Sequence, residues 1–377
     1  MQQPKHRILI SGGGTGGHIF PAIAIANALK ARLDNPDILF VGARGKMEME
    51  KVPKAGYPIE GLWISGLQRN LTLKNMLFPL KLICSLTKAN HIVNKFKPDI
   101  AIGVGGYASG PTIKVAARKG IPTIIQEQNS YPGITNRLLS KHVNKICVAY
   151  DGMDRFFPGS KIVITGNPVR QDILNLNDKK SGAYDFFKLQ KTKKTLIIIG
   201  GSQGAMSINK NIQACLESLI ENNIQIIWQT GKLCYEAACE AANQLKQKIT
   251  PDEVDNNVKI HDFISRMDYA YAIADLVVSR AGAIAISELC VAGKPVILIP
   301  LPSAAEDHQT KNAMSLVKKE AARMIKDSEQ NEKLHASIIS LINENNELKK
   351  LENNISKLGI RDAAIKITDE IISLMET

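Results

Sequence analysis

The chain has 377 residues, 44% of them hydrophobic, enough for two domains of ordinary size, each with its own core. No apolar run approaches the roughly 20 residues a spanning helix needs, and the apolar part of the first ten residues is too short for a secretory signal. Six scattered cysteines without a C-x-x-C pair speak against a disulfide framework or zinc site and suit a reducing cytoplasm. The net charge of +12 is uneven: 22 Lys and Arg against 9 Asp and Glu through Thr165, and 26 against 27 thereafter.

In chain order, the first predicted strand, R-I-L-I-S from Arg7, runs into G-G-G-T-G-G-H ending at His18, and a helix follows. A glycine-rich turn lets bare backbone approach a phosphate, and the helix behind it presents unpaired N–H groups to negative charge. Gly12, Gly14 and Gly17 satisfy G-x-G-x-x-G, the dinucleotide fingerprint, but that motif needs an acidic residue at the end of the second strand. Here Ile38 to Val41 runs into Gly42-Ala43-Arg44, so the carboxylate is missing, although Arg44 keeps an NADP reading open. A Walker A loop is excluded because His18 stands where its lysine would be. The turn is expected to bind something anionic or polar other than a dinucleotide.

From Gly61 to Pro98 there is no carboxylate, while Arg69, Lys74, Lys81, Lys88, Lys95 and Lys97 occur among Met76, Leu77, Phe78, Leu80, Leu82 and Ile83. Lys81, Lys88 and Lys95 are spaced by sevens, one helix face. Lysines beside apolar residues read as an element that docks on an anionic membrane through Lys74, Phe78, Lys81 and Lys88. A core helix with a solvated lysine face reads equally well. Nucleic acid is disfavoured, since no stacking platform or DNA-binding motif accompanies the charge.

Asp99 then begins a strand and a small-residue turn, G-G-Y-A-S-G-P, followed by a helix, a Gly-x-Pro break and the strand P-T-I-I-Q-E ending at Glu127. The pattern returns in the second half. T-L-I-I-I-G-G-S-Q-G-A, Thr195 to Ala205, is another strand and glycine turn, and Asp275 to Pro300 repeats strand, turn, helix, Gly-x-Pro and strand. Matched βαβ units in the same order predict two α/β domains of doubly wound type, with ligands at the carboxyl ends of the strands and a cleft between the halves.

The segments G-G-G-T-G-G-H-I-F-P, G-G-Y-A-S-G-P, E-Q-N (Glu127 to Asn129), G-N-P-V-R (Gly166 to Arg170), G-G-S-Q-G and H-Q-x-x-N-A (His308 to Ala313) together resemble the MurG family of bacterial N-acetylglucosaminyltransferases, over nearly the whole chain. The resemblance implies a GT-B fold: two Rossmann-like domains, residues 1–166 facing the acceptor and membrane and 167–356 binding the donor, with helix 357–377 returning to the first. It implies transfer of N-acetylglucosamine from UDP-N-acetylglucosamine to the 4-hydroxyl of undecaprenyl-pyrophosphoryl-N-acetylmuramoyl-pentapeptide. The enzyme would lie peripherally on the cytoplasmic face of the inner membrane, serving peptidoglycan synthesis and cell division, with proteins of those processes as partners.

The same resemblance implies residue roles. Ile264 meets uracil through its backbone, and Glu288 accepts from both ribose hydroxyls, a carboxylate offering two acceptor oxygens to a cis-diol. Arg170 and Ser202 face the diphosphate, toward which Ala283, Ile284, Ala285, Ile286 and Ser287 turn a helix N-terminus. Asn129, Gln309 and Asn312 read the sugar, and Thr15, Gly16 and Gly17 complete the site. Two departures from the family pattern, Ala285 for threonine and Ser265-Arg266 for an acidic pair, put side-chain contacts in doubt.

Inversion requires one in-line displacement, with a base to take the acceptor proton. His18 suits this near neutrality, its ordinary pKa being about 6.5, and Glu127 is the alternative, unless it is a buried carboxylate that orients its loop. The sequence has no D-x-D, so the expectation is a metal-independent, cofactor-free reaction in which helix N-termini and Arg170 stabilise the departing UDP. A UDP-sugar 2-epimerase, a glycosyltransferase acting on another lipid such as diacylglycerol, and a non-enzymatic sugar-nucleotide sensor remain as rivals.

Overall fold

The computed structural model describes residues 6–66, 77–201 and 204–376; Lys74 and Ser202 lie outside the described residues. The chain forms two compact units, Met1–Val169 with Asp362–Thr377, and Arg170–Arg361.

The first unit holds seven strands: β1 (Arg7–Ser11), β2 (Asp37–Ala43), β3 (Ile59–Leu62), β4 (Ile100–Gly103), β5 (Thr123–Glu127), β6 (Lys145–Val148) and β7 (Ile162–Ile164). They lie in the order β3-β2-β1-β4-β5-β6-β7, and every pairing is parallel. A parallel sheet covered on both faces asks for near-continuous apolar strands, as R-I-L-I-S and T-I-I-Q-E supply. Alternation sends Ile8 and Ile10 to one face, under the helix Gly16–Arg32, and Leu9 to the other, where Ala89, Ile92 and Val93 of the helix Phe78–Phe96 cover it. The terminal helix Ala363–Met375 buries Ile367 and Ile371 in the first of these cores, and ion pairs Arg32–Asp369 and Lys145–Glu370 flank it.

The second unit holds β8 (Lys194–Ile199), β9 (Ile224–Gln229), β10 (Val258–His261), β11 (Leu276–Ser279), β12 (Val296–Leu298) and β13 (Arg323–Met324), all parallel, in the order β10-β9-β8-β11-β12-β13. Its core stacks Leu196, Ile198 and Trp228 against the helices Met206–Glu221 and Gln330–Asn343. The Trp228 indole N–H donates to Asn209 Oδ1 at 2.9 Å, so this fully buried ring leaves no polar group unpaired.

Strand order reverses between β1 and β4 in the first unit and between β8 and β11 in the second. In open α/β sheets ligands bind at such switch points. Each glycine turn follows the first strand of its switch point.

Candidate functional site

In the second unit the switch point opens into a cavity of about 670 Å³, a size usual for a small-molecule site. Gly200, Gly201 and Ala205 of the turn after β8 line it, with Lys210, Arg280, Ala285 and Gln309. Gly204 shapes the turn: its φ is +82°, and a methyl group there would lie 2.2 Å from the Thr230 carbonyl oxygen. The helix Ala283–Ala292 begins at Gly282 with no side-chain cap, so the first N–H groups of Ala283, Ile284 and Ala285 are not taken by a capping side chain. Ile286 and Ser287 already have intrahelical partners, Ile286 N–H donating to Gly282 O and Ser287 Oγ to Ala283 O.

Glu288 and Arg170 are brought together, paired with each other. Arg170 Nε donates to Glu288 Oε1 at 2.8 Å, and the Tyr271 hydroxyl lies 3.5 Å from Oε2. Burial pushes the Glu288 carboxyl above its ordinary range, against the pull of Arg170. Ile264 donates its N–H to Gln229 Oε1 at 3.0 Å. Gln309 Oε1 accepts from Leu301 N–H at 2.9 Å, and the buried Asn312 donates to Ala281 O at 3.5 Å. Gln309 and Asn312 share the helix His308–Val317, which follows Glu306 and Asp307, both at positive φ.

Arg266, in one of the two departures from the family pattern, is engaged within its own segment. It grips Asp268 with two hydrogen bonds, of 2.9 and 2.8 Å, and lies 3.5 Å above the Tyr269 ring. Lys179 pairs with the same carboxylate at 2.9 Å, and these cations hold Asp268 well below the usual carboxylate range.

In the first unit the glycine turn already holds an anion. Glu48, fully buried, accepts from Gly14 N–H through Oε2 and from Ala43 N–H through Oε1, both at 2.9 Å. The expectation is that this turn binds something anionic or polar other than a dinucleotide; one of its donors, the Gly14 N–H, is taken by the chain's own carboxylate. His18, half-buried, places Nδ1 3.0 Å from the Gly13 carbonyl oxygen. A carbonyl only accepts, so Nδ1 carries the proton, and Nε2 bears the lone pair of the neutral ring. Thr15 Oγ1 stands 3.3 Å from Nδ1, and Thr15 and Gly17 are exposed while Gly16 is half-buried.

Glu127 ends β5, almost fully buried. Oε1 accepts from Asn129 N–H at 3.0 Å and Asn129 Nδ2 at 3.1 Å, and Oε2 from Gly133 N–H at 3.2 Å and Asn136 Nδ2 at 2.9 Å. Burial raises its carboxyl above the ordinary range while these donors oppose the rise. Four donors on two oxygens fit a carboxylate that organises the loop after β5.

Of the proposed docking residues, Lys81 donates to Ser65 Oγ at 2.9 Å beside the Trp63 ring, and Lys88 pairs with Glu60 at 3.1 Å and donates to Gly61 O at 2.9 Å. Phe78 is half-buried, while Leu77, Leu80 and Ile83 on the same stretch are exposed, as is nearby Trp63. The open side of this helix start is therefore apolar, while Lys88 is bound to the edge strand β3 and Lys81 to the segment that follows it. Sequence reasoning missed Glu48, which lies past the strand end where an acidic partner was sought. It also missed Gln229, at the end of the second strand in the other unit, Tyr271, and Lys210.

Two doubly wound parallel sheets, each with a glycine turn at its switch point, define the GT-B class of architecture. Residues 8–148 match the glycosyltransferase family 28 N-terminal domain and residues 195–367 the glycosyltransferase family 28 C-terminal domain. The UDP-N-acetylglucosamine--N-acetylmuramyl-(pentapeptide) pyrophosphoryl-undecaprenol N-acetylglucosamine transferase of Flavobacterium psychrophilum is 52% identical over 373 residues, 99% of each chain. The protein of the same name from Cytophaga hutchinsonii is 53% identical over 376 residues, covering 100% of this chain and 99% of its own. The crystal structure of Acinetobacter baumannii MurG superposes with a TM-score of 0.75 at 27% identity, over 98% of this chain and 100% of that one. A UDP-GlcNAc 2-epimerase from Neisseria meningitidis superposes at 0.66 with 16% identity, over 97% of this chain and all of its own, a likeness of fold alone. The chain belongs to glycosyltransferase family 28, within its MurG family of N-acetylglucosaminyltransferases.

Proposed function

We propose that the protein transfers N-acetylglucosamine from UDP-N-acetylglucosamine to the 4-hydroxyl of undecaprenyl-pyrophosphoryl-N-acetylmuramoyl-pentapeptide, the step that makes the disaccharide precursor of peptidoglycan. The observation that carries this is identity above one half, over essentially full length, with transferases named for that donor and acceptor. The epimerase and sensor readings share only the fold and are not favoured.

The donor belongs to the second unit. Its diphosphate sits against the turn after β8 and the N-terminus of Ala283–Ala292, where backbone N–H groups and the helix dipole favour negative charge. Glu288 takes the ribose hydroxyls, and Arg170, released from Glu288 or sharing it, turns its donors to the phosphates. In the first unit His18 Nε2 accepts the proton of the acceptor hydroxyl. The new C–O bond forms at the anomeric carbon as the bond to UDP breaks, and UDP leaves with the electron pair. Arg170 and the helix N-terminus stabilise the charge on the leaving diphosphate, so the reaction is proposed to need no metal. Among the described residues, no group of three or more His, Cys, Asp or Glu could hold one.

Peripheral docking on the cytoplasmic face of the inner membrane is proposed for the start of the helix Phe78–Phe96, where Leu77, Leu80 and Ile83 are exposed on the unit that carries the positive charge excess. No helix among the described residues is long and apolar enough to cross a membrane.

The test is transfer of labelled N-acetylglucosamine to a short-chain lipid-linked N-acetylmuramoyl-pentapeptide analogue, with diacylglycerol in parallel. Product on the muramoyl acceptor alone is expected. Product on diacylglycerol alone would overturn the assignment.

A further inference from the structure

The geometry points to Glu48 as a positioning residue that acts on His18 through a single peptide group. This rests on the reading of His18 as the base. The Gly13 carbonyl and the Gly14 N–H are the two ends of one planar, resonant amide. Glu48 Oε2 accepts from the N–H end at 2.9 Å, and the C=O end accepts from His18 Nδ1 at 3.0 Å. A full negative charge at the N–H end draws density toward the carbonyl oxygen, because hydrogen bonds in a chain polarise one another in a low-dielectric interior. The carbonyl thus becomes a stronger acceptor. It holds the Nδ1–H tautomer and favours the imidazolium that forms when Nε2 takes a proton. The arrangement is a carboxylate–histidine pair with a peptide inserted between its members.

The surroundings fit this role. Glu48 is fully buried, and its second oxygen is fixed by Ala43 N–H at 2.9 Å, so its direction is set from the end of β2. The backbone around this peptide is tightly placed. The preceding peptide is held by Gly13 N–H, which donates to Gly105 O at 3.3 Å, and a methyl group on Gly106 would lie 2.2 Å from the Gly13 oxygen. At Gly105, with φ of +91°, a methyl group would lie 2.8 Å from His18 Nε2, so the bare glycine keeps room beside the nitrogen that acts. No proton passes along the peptide. The proton taken from the acceptor stays on Nε2 and Nδ1 keeps its own, so Glu48 acts by field and orientation alone.

Glu48→Gln keeps the shape and removes the charge. Partners that orient metal-bound histidines typically contribute roughly 10–100-fold, and a fall in kcat of the same order is expected here, with the KM for UDP-N-acetylglucosamine little changed. The readout specific to positioning is the ¹⁵N spectrum of the labelled His18 ring: wild type should show the Nδ1–H tautomer, and Glu48→Gln a measurable share of Nε2–H. The kinetic readout is a double-mutant cycle, in which Glu48→Gln should lower kcat no further once His18 is alanine. Should Glu48→Gln fail to fold, Glu48→Asp, which shortens the reach to Gly14, is read by the same spectrum and cycle. An unchanged tautomer in a folded variant, or an undiminished kcat loss in the His18→Ala background, would overturn the inference. Near-normal turnover by His18→Ala alone would instead remove the base assignment on which it stands.

Discussion

Replacing Glu127 by glutamine separates a base from an organiser of structure. The carboxylate receives four N–H groups, two on each oxygen. An amide keeps one oxygen and turns an NH₂ toward two of those donors, so either Asn129 or the Gly133–Asn136 pair loses its acceptor. Hydrogen bonds to charged groups contribute about 1.5–3 kcal/mol each, so two lost bonds cost roughly 3–6 kcal/mol. Part of this is returned because the variant no longer buries a charge, the same burial that raises the wild-type carboxyl. A net loss of roughly 2–4 kcal/mol would lower the melting temperature of a unit this size by about 5–15 °C. The assay is a thermal melt beside turnover and UDP binding. The expected result is a large melting shift, while His18→Ala melts as wild type and loses turnover by roughly 10²–10⁴-fold. A Glu127→Gln protein that melts within a degree of wild type, binds UDP normally and has lost turnover a hundredfold would refute the structural reading and make Glu127 the base.

Glu288→Gln should weaken UDP binding by roughly 10- to 150-fold, the equivalent of one charge-assisted bond of about 1.5–3 kcal/mol; an unchanged dissociation constant in calorimetry would show that Glu288 does not hold the ribose. Turnover should persist in excess EDTA, whereas complete loss restored by magnesium or manganese would end the metal-free mechanism. The double substitution Leu80→Ser with Ile83→Ser should abolish co-sedimentation with anionic vesicles while leaving turnover on a water-soluble acceptor intact. Wild-type binding should also weaken as salt screens the charge, so sedimentation of the folded variant at wild-type level would exclude this helix as the docking element.

The fold was legible because its signals are local and repeated. A parallel sheet covered on both faces requires apolar runs such as L-I-I-I before a glycine turn, and the same order of strand, turn and helix occurs twice. What escaped depends on contacts distant in sequence. Glu48 meets Gly14 across 34 residues, and Gln229 meets Ile264 across 35, and neither spacing has a motif. The lysine stripe was only partly legible, for a different reason. A long side chain reaches some 6 Å from its own backbone, so the face of a helix on which a lysine lies does not fix where its ammonium ends. Lys88 ends on Glu60, the first carboxylate upstream of the acid-free stretch, and the face left open to solvent is that of Leu80 and Ile83.

The two glycine turns look alike in sequence but differ in what charge meets them. In the first unit the Gly14 N–H faces a buried carboxylate. A phosphate charge brought to within 5–6 Å of it would meet a repulsion of about 3 kcal/mol at an effective dielectric of about 20. A buried carboxylate at this position therefore disfavours a phosphate at the Gly14 N–H, a physical reason against reading the literal G-x-G-x-x-G there as a dinucleotide site. In the second unit the side chain that ties the turn to its neighbours is Gln229, which donates to Gly201 O at 3.2 Å and accepts from Ile264 N–H. An amide gives the same mechanical bracing with no net charge. This bracing sets no charge against an anion at the turn after β8; Lys210 lines the cavity wall beside it, while Arg280 is already paired with Asp327. One architecture used twice thus places a carboxylate beneath one glycine loop and an amide beneath the other.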